Sequence, residues 1–268
     1  MFSPAYAAAR RRGPAAPLRH CALNVALYGA RGTCWAFTER DGTALARGAR
    51  WMLFGESLLE WQGDALVMRL DERTVPWPGR IRGTLRFHPD ALGERSFALD
   101  AAARHGWQPV APLGRVDVAL ERPAWRWQGS AYLDANWGAA PLEADFRDWS
   151  WSRARIGRRA VILYDVTRRD AGRASLALAC DAAGTIADIE PPPPQMLPPT
   201  RWRLPRPLRA EAPPRLLRTL EDAPFYARSL LAAPLLGTAA TAVHESLSLD
   251  RFRARWVQAL LPFRILRR

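Results

Sequence analysis

Four residues between positions 105 and 134 carry groups that could act together on one substrate. They fall in two short patterns, His105-Gly-Trp107 and Tyr132-Leu-Asp134. In an extended chain, side chains two apart point to the same face, so each pair presents both its members on one side. If the two faces converge, one pocket holds a carboxyl group, an imidazole and two aromatic walls. That set suits proton transfer to an apolar, electron-rich substrate.

Each residue also has a plainer reading. An Asp near a strand end commonly closes a turn or accepts a local hydrogen bond. A His next to Gly106 serves equally well as a solvent-facing loop residue, and Trp107 and Tyr132 as core aromatics. Trp125 and Trp127, and Trp149 and Trp151, put two indoles on one strand face each. These read as core or pocket wall, which makes Trp127, Trp149, Trp151 and Tyr164 the candidate substrate-binding residues. Tyr164-Asp165 is a weaker second site, because adjacent strand residues point opposite ways. None of the four histidines stands in a ligand pattern such as HExxH, so no metal is expected.

The elements that must position these groups read as β. Short apolar runs recur at 22–28, 33–39, 49–54, 57–61, 65–70, 80–87, 115–120, 161–164 and 175–179. Turn signals separate them, among them Glu39-Arg-Asp-Gly42 and Arg168-Arg-Asp-Ala-Gly172. Regular short strands with few helical periods predict an all-β barrel or sandwich. Prolines 191–194 form a stiff run that does not belong inside a sheet. It sets the expected division: a first domain over 1–189 carrying the site, a linker over 190–199, and a smaller domain over 200–268. Within the latter, 229–236 and 242–249 read as strands. Phe252, Trp256, Ala259, Leu260 and Phe263 then recur at helical spacing among arginines. The stretch reads either as a C-terminal amphipathic helix docked on the fold or as a basic anchor on an anionic membrane.

Composition narrows the partners. The net charge of +13 comes from arginine alone, because the chain contains no lysine. Such an excess favours anionic surfaces. No RNP pattern, zinc finger or recognition helix accompanies it, so a phospholipid surface is preferred over nucleic acid. No apolar run reaches the roughly 20 residues of a membrane span. The basic, Ala-rich residues 1–13 lack the apolar core of a secretory signal. Cys21, Cys34 and Cys180 are odd in number and scattered, as expected of free thiols in a reducing cytosol. The expected location is cytoplasmic, peripheral on the inner face of the membrane.

Around Tyr132-Leu-Asp-Ala-Asn-Trp-Gly138 the chain resembles the carotenoid 1,2-hydratases, or hydroxyneurosporene synthases. The same likeness runs through His20-Cys-Ala-Leu-Asn-Val-Ala-Leu-Tyr-Gly29, Asp148-Trp-Ser-Trp-Ser-Arg153 and Leu163-Tyr-Asp-Val-Thr-Arg-Arg-Asp170. It continues in Leu197-Pro-Pro-Thr200, in Arg218-Thr-Leu-Glu-Asp-Ala-Pro-Phe-Tyr-Ala-Arg-Ser229 and in the tail from Phe252. The resemblance implies an all-β fold of two joined lipocalin-like β-barrel or sandwich domains, the second smaller, and cofactor-free addition of water to the terminal C1=C2 bond of acyclic carotenoids such as neurosporene and lycopene. It assigns catalysis to His105, Trp107, Tyr132 and Asp134. It also implies an aromatic strand segment ahead of Phe2-Ser-Pro-Ala-Tyr6, without which a sheet edge is expected to stand unpaired.

In the mechanism expected from these residues, Asp134 is kept protonated by an apolar pocket and protonates C2. The tertiary cation at C1 faces the π systems of Trp107, Tyr132 and Trp151. His105 orients the attacking water or takes its proton. The alternative is a non-catalytic lipocalin-like carrier that binds a polyene in the same pocket. A buried Asp would burden such a carrier without serving it.

Overall fold

The computed structural model describes residues 3–30 and 32–267. Phe2, which opens the Phe2–Tyr6 motif, and Arg268, which ends the basic tail, lie outside the described residues. The chain is all-β, with strands at each position where a period-2 apolar run predicts one. Runs 22–28 and 33–39 lie in Cys21–Gly29 and Gly32–Arg40, and run 65–70 in Ala65–Arg73. Arg159–Arg168 and Arg173–Asp181 likewise contain the predicted 161–164 and 175–179.

By internal contacts the chain divides into two compact units. The first comprises residues 1–89, 114–131 and 258–268, and the second 90–113 and 132–257. In the first unit, strands from Leu45–Arg47 to Arg80–Pro89 form an antiparallel meander that residues 114–122 of the strand His105–Arg122 and 125–131 of the strand Trp125–Gly138 continue. A separate hairpin, Cys21–Gly29 with Gly32–Arg40, brings Ala36 onto the core of Leu70, Ile81, Val116, Val118 and Leu120. Glu72 is buried in this unit, and accepts hydrogen bonds from Thr38, Ser57 and Arg40. That satisfies a charge which would otherwise be expensive to bury.

The second unit is organised by a seven-stranded antiparallel sheet. Its order is Ile186–Asp188, Arg173–Asp181, Arg159–Arg168, Phe146–Ile156, Thr238–Ser248, Tyr226–Leu235 and Arg215–Asp222. One face carries the apolar core of Ala154, Val161, Leu163, Leu231 and Ala242, covered by Leu197 and Leu208 of the hairpin Pro194–Leu197/Arg206–Arg209. The other face presents Trp149, Trp151, Tyr164 and Glu245, as the alternation of strand side chains requires.

Two expectations are corrected here. The 190–199 segment does not separate two domains, because strands from both sides of it pair within one sheet: Trp149 lies opposite Leu247 and Ala154 opposite Ala242. Of the proline run, Pro194 opens a strand opposite Arg209, a position where a missing N–H is tolerated. The C-terminal segment is not one amphipathic helix. It breaks into Leu249–Phe252, Arg255–Leu260 and the 3-10 turn Leu261–Phe263. Phe252, Val257 and Leu261 are buried, while Trp256 is half exposed and stacks on Trp202 at 5.9 Å. Among the described residues, no helix is long and apolar enough to cross a membrane.

Candidate functional site

Both sequence patterns fall in the second unit. Trp107 sits on the strand His105–Arg122, and Tyr132 and Asp134 on the strand Trp125–Gly138. The Trp107 indole is fully buried and donates its Nε1–H to Asp134 Oδ2 at 2.8 Å. Burial raises the Asp134 pKa, and Glu245 adds to the effect. The Trp107 donor and the nearby Tyr132 hydroxyl pull the other way, and burial prevails. The carboxyl group is therefore biased towards its acid form, as a desolvated carboxylate must be.

Aromatic rings surround this carboxyl group. Trp107 meets Tyr164 edge to face at 5.3 Å, and Tyr164 meets Trp149 at 6.3 Å. Tyr132 packs on Trp151 at 5.3 Å, with the Arg153 guanidinium 5.1 Å above the Tyr132 ring. Burial pushes the Tyr132 and Tyr164 hydroxyls well above the ordinary phenol range, and Asp134 contributes to both. The Tyr132 hydroxyl and the Trp151 indole N–H are buried and have no regular hydrogen bond among the described residues. The Tyr132 hydroxyl lies close enough to Asp134 to influence its carboxyl group, and the Trp151 N–H is buried on the neighbouring ring of the Tyr132–Trp151 pair.

His105 is placed differently from Trp107. Its ring is buried, and Nε2 lies 2.6 Å from Asp145 Oδ2, with Phe146 edge-on at 4.8 Å. Its backbone N–H is held by Asp100 Oδ2 at 2.8 Å, and Arg104 pairs with the same Asp145. Nδ1 is buried without a hydrogen-bond partner among the described residues. Glycines let the two strands approach here. A Cβ at Gly138 would stand 2.5 Å from His105 Nδ1, and one at Gly106 would stand 2.3 Å from the Trp137 ring.

Of the sequence-predicted site residues, Trp107, Tyr132, Asp134, Trp149, Trp151 and Tyr164 come together. His105 sits two residues from Trp107, but its imidazole is bonded to Asp145. Trp127 belongs to the first unit, is 47% exposed, and lines an open cleft of about 570 Å³ with Thr84, Arg86 and Asp117. Asp165 points to the opposite sheet face and pairs with Arg209 at 2.8 Å. On that face a cleft of about 420 Å³ is lined by Ser150, Asp165, Leu208 and Arg209 rather than by the aromatic cluster.

Asp145, Arg153, Glu245 and Arg228 escaped the sequence reading. Glu245 lies opposite Trp151 in the sheet, and Arg228 reaches its Oε1 through Nε at 2.9 Å and through its terminal nitrogen at 2.7 Å. Glu245 and Arg228 sit in strands whose pairing with Phe146–Ile156 no local pattern announces. Among the described residues, no three His, Cys, Asp or Glu side chains are grouped as metal ligands.

The family described as carotenoid hydratase CrtC matches residues 1–268. An acyclic carotenoid 1,2-hydratase of Thiocapsa roseopersicina is 51% identical over 99% of this chain and 66% of its own length. One of Rubrivivax gelatinosus is 42% identical over 100% of the chain and 67% of its own length. The chain thus spans about two thirds of the length of these two relatives. Among solved structures, that of a candidate AttH from Nitrosomonas europaea shares the fold, with a TM-score of 0.50, 14% identity and 85% of both chains covered.

Proposed function

Since the chain belongs to the carotenoid hydratase CrtC family, we propose that it adds water to the terminal C1=C2 double bond of acyclic carotenoids such as neurosporene and lycopene. The observation that carries this reading is a protonated-leaning carboxyl group, Asp134, bonded to a buried indole and ringed by aromatic side chains.

An isolated trisubstituted alkene is a weak base, so its hydration needs an acid stronger than water held against the double bond. Asp134 gives its proton to C2, and the C1 carbon becomes a tertiary cation. The π faces of Trp107, Tyr132, Trp151 and Tyr164 stabilise that cation, with Trp149 and Tyr164 lining the polyene. Water adds at C1, accepting from the Trp151 N–H and meeting the Tyr132 hydroxyl, the two buried groups without regular partners. The proton lost from the added water returns the site to its starting state through the Asp134 carboxylate. His105, braced by Asp145, holds the strand end beside Trp107 and offers Nδ1 to the water. No cofactor takes part in this scheme.

The substrate is a membrane-soluble polyene, and the chain meets it at an anionic membrane on the cytoplasmic side. The arginine excess and the exposed Trp202–Trp256 stack support this. The second reading, a non-catalytic polyene carrier, uses the same aromatic cluster but leaves Asp134 without a task. Incubation of the purified chain with detergent-solubilised lycopene or neurosporene, without added cofactor, separates the two. A product heavier by one water, found by mass spectrometry, supports hydration. Pigment that binds and returns unchanged favours the carrier.

A further inference from the structure

We propose that Glu245, clamped by Arg228, is a positioning residue of this site that keeps the proton on Asp134. The inference rests on the reading of Asp134 as the acid. Its geometric basis is a single row across the sheet. Tyr164, Trp151, Glu245 and Arg228 are successive cross-strand partners on the strands Arg159–Arg168, Phe146–Ile156, Thr238–Ser248 and Tyr226–Leu235. Directly opposed residues share one face and stand about 5 Å apart. The first two members of the row touch the acid's own surroundings: Tyr164 meets Trp107, the donor to Asp134, and Trp151 meets Tyr132, two residues before it. Glu245 is the next position in the row.

A carboxylate pointing into an aromatic face needs a reason and an anchor. The anchor is Arg228, whose two contacts both fall on Oε1 and which also donates to the Tyr226 hydroxyl at 3.0 Å. The reason follows from what faces Asp134. From its own strand comes Tyr132, from the strand His105–Arg122 the Trp107 donor, and from Arg159–Arg168 Tyr164. Phe146–Ile156 contributes Arg153 over the Tyr132 ring, and Arg173–Asp181 contributes Cys180 near the same hydroxyl. Thr238–Ser248 contributes Glu245, which is held in turn by Arg228, itself bonded to Tyr226, on Tyr226–Leu235. Burial does most to keep Asp134 protonated, the Trp107 and Tyr132 groups favour its anion, and Glu245 is the anionic group in this set that reinforces burial. Like charges disfavour joint ionisation, so an ionised Glu245 makes Asp134 hold its proton to higher pH.

The test reads the Asp134 carboxylic acid directly, by its C=O stretch in infrared difference spectra of the resting protein titrated with pH. Asp134→Asn assigns the band. In Glu245→Gln the Asp134 band should disappear about one pH unit lower than in the parent. In Glu245→Asp, which keeps the charge and guards against a folding defect, it should stay within about half that shift of the parent. An unchanged titration in a folded Glu245→Gln protein overturns the proposal, and so does a parent protein with no Asp134 acid band. Because no turnover is measured, a chain that fails to hydrate carotenoids refutes the functional reading without touching this result.

Discussion

Trp107 and Asp134 are 27 positions apart in the chain, yet one 2.8 Å hydrogen bond joins a fully buried indole to the carboxyl group. The bond has two effects. It fixes the rotamer of the acid, and it favours the anion, against the larger effect of burial.

Replacing Trp107 by Phe keeps a ring and removes the donor. The Asp134 pKa then rises further. A reaction that needs the protonated acid loses rate as pH climbs through that pKa, so the falling limb of the pH–rate profile should move to higher pH. A hydrogen bond to a charged group contributes about 1.5–3 kcal/mol, equivalent to a shift of about one to two pH units. The profile of the variant against lycopene checks this.

Asp145 braces His105 through Nε2. In Asp145→Asn the amide can present a donor as well as an acceptor, and the imidazole loses its charged partner. Turnover should drop by up to about a hundredfold, the loss that a misplacement of about 1 Å causes.

His244 supplies a pH effect on the fold itself. It is completely buried between Ser152 and Ser246, and burial lowers its pKa to about 3, with Arg206 adding to the effect. The sign is that of a base whose protonation is suppressed in the folded state. Stability from this residue is intact above the unfolded pKa of about 6.5 and is lost as pH falls towards the folded value. The unfolding free energy from denaturant titrations should therefore decline below about pH 6.5, by several kcal/mol in total. In His244→Gln, which keeps side-chain hydrogen bonding to the serines, that decline should be shallower.

The Trp202–Trp256 stack is flanked in sequence by Arg201, Arg203, Arg253 and Arg255. Arg251 ties the two segments together through the carbonyls of Trp202 and Arg203. Flotation with anionic vesicles should show binding that Trp202→Ala with Trp256→Ala weakens by at least about tenfold, given the area two indoles bury. Binding should also weaken as salt rises.

The strands were legible because short apolar runs bounded by turn residues are a local signal, even where, as in Arg159–Arg168, both faces are buried. The long strand His105–Arg122 was less so: Gly106, Pro109, Pro112 and Gly114 look like interruptions, yet the chain stays extended through all four. Spacing put Tyr132 and Asp134 on one strand face, and the family resemblance singled the pair out. Its neighbours Glu245 and Arg228 were not legible, since they arrive through the register of strands about a hundred residues further on. The proline run misled for the same reason. Local stiffness says where the chain is straight, and the pairing of Trp149 with Leu247 across that run is a non-local fact.

Asp134→Asn tests the central claim most directly, because the amide preserves shape and still accepts from Trp107 but has no acidic proton. Parent and variant would be incubated with lycopene in heavy water, and the products resolved by mass spectrometry. The account predicts a hydrated product carrying deuterium at C2 from the parent, and at least about a hundredfold less from the variant, the usual contribution of a general acid. Equal product from a folded variant would contradict the assignment of Asp134 as the acid.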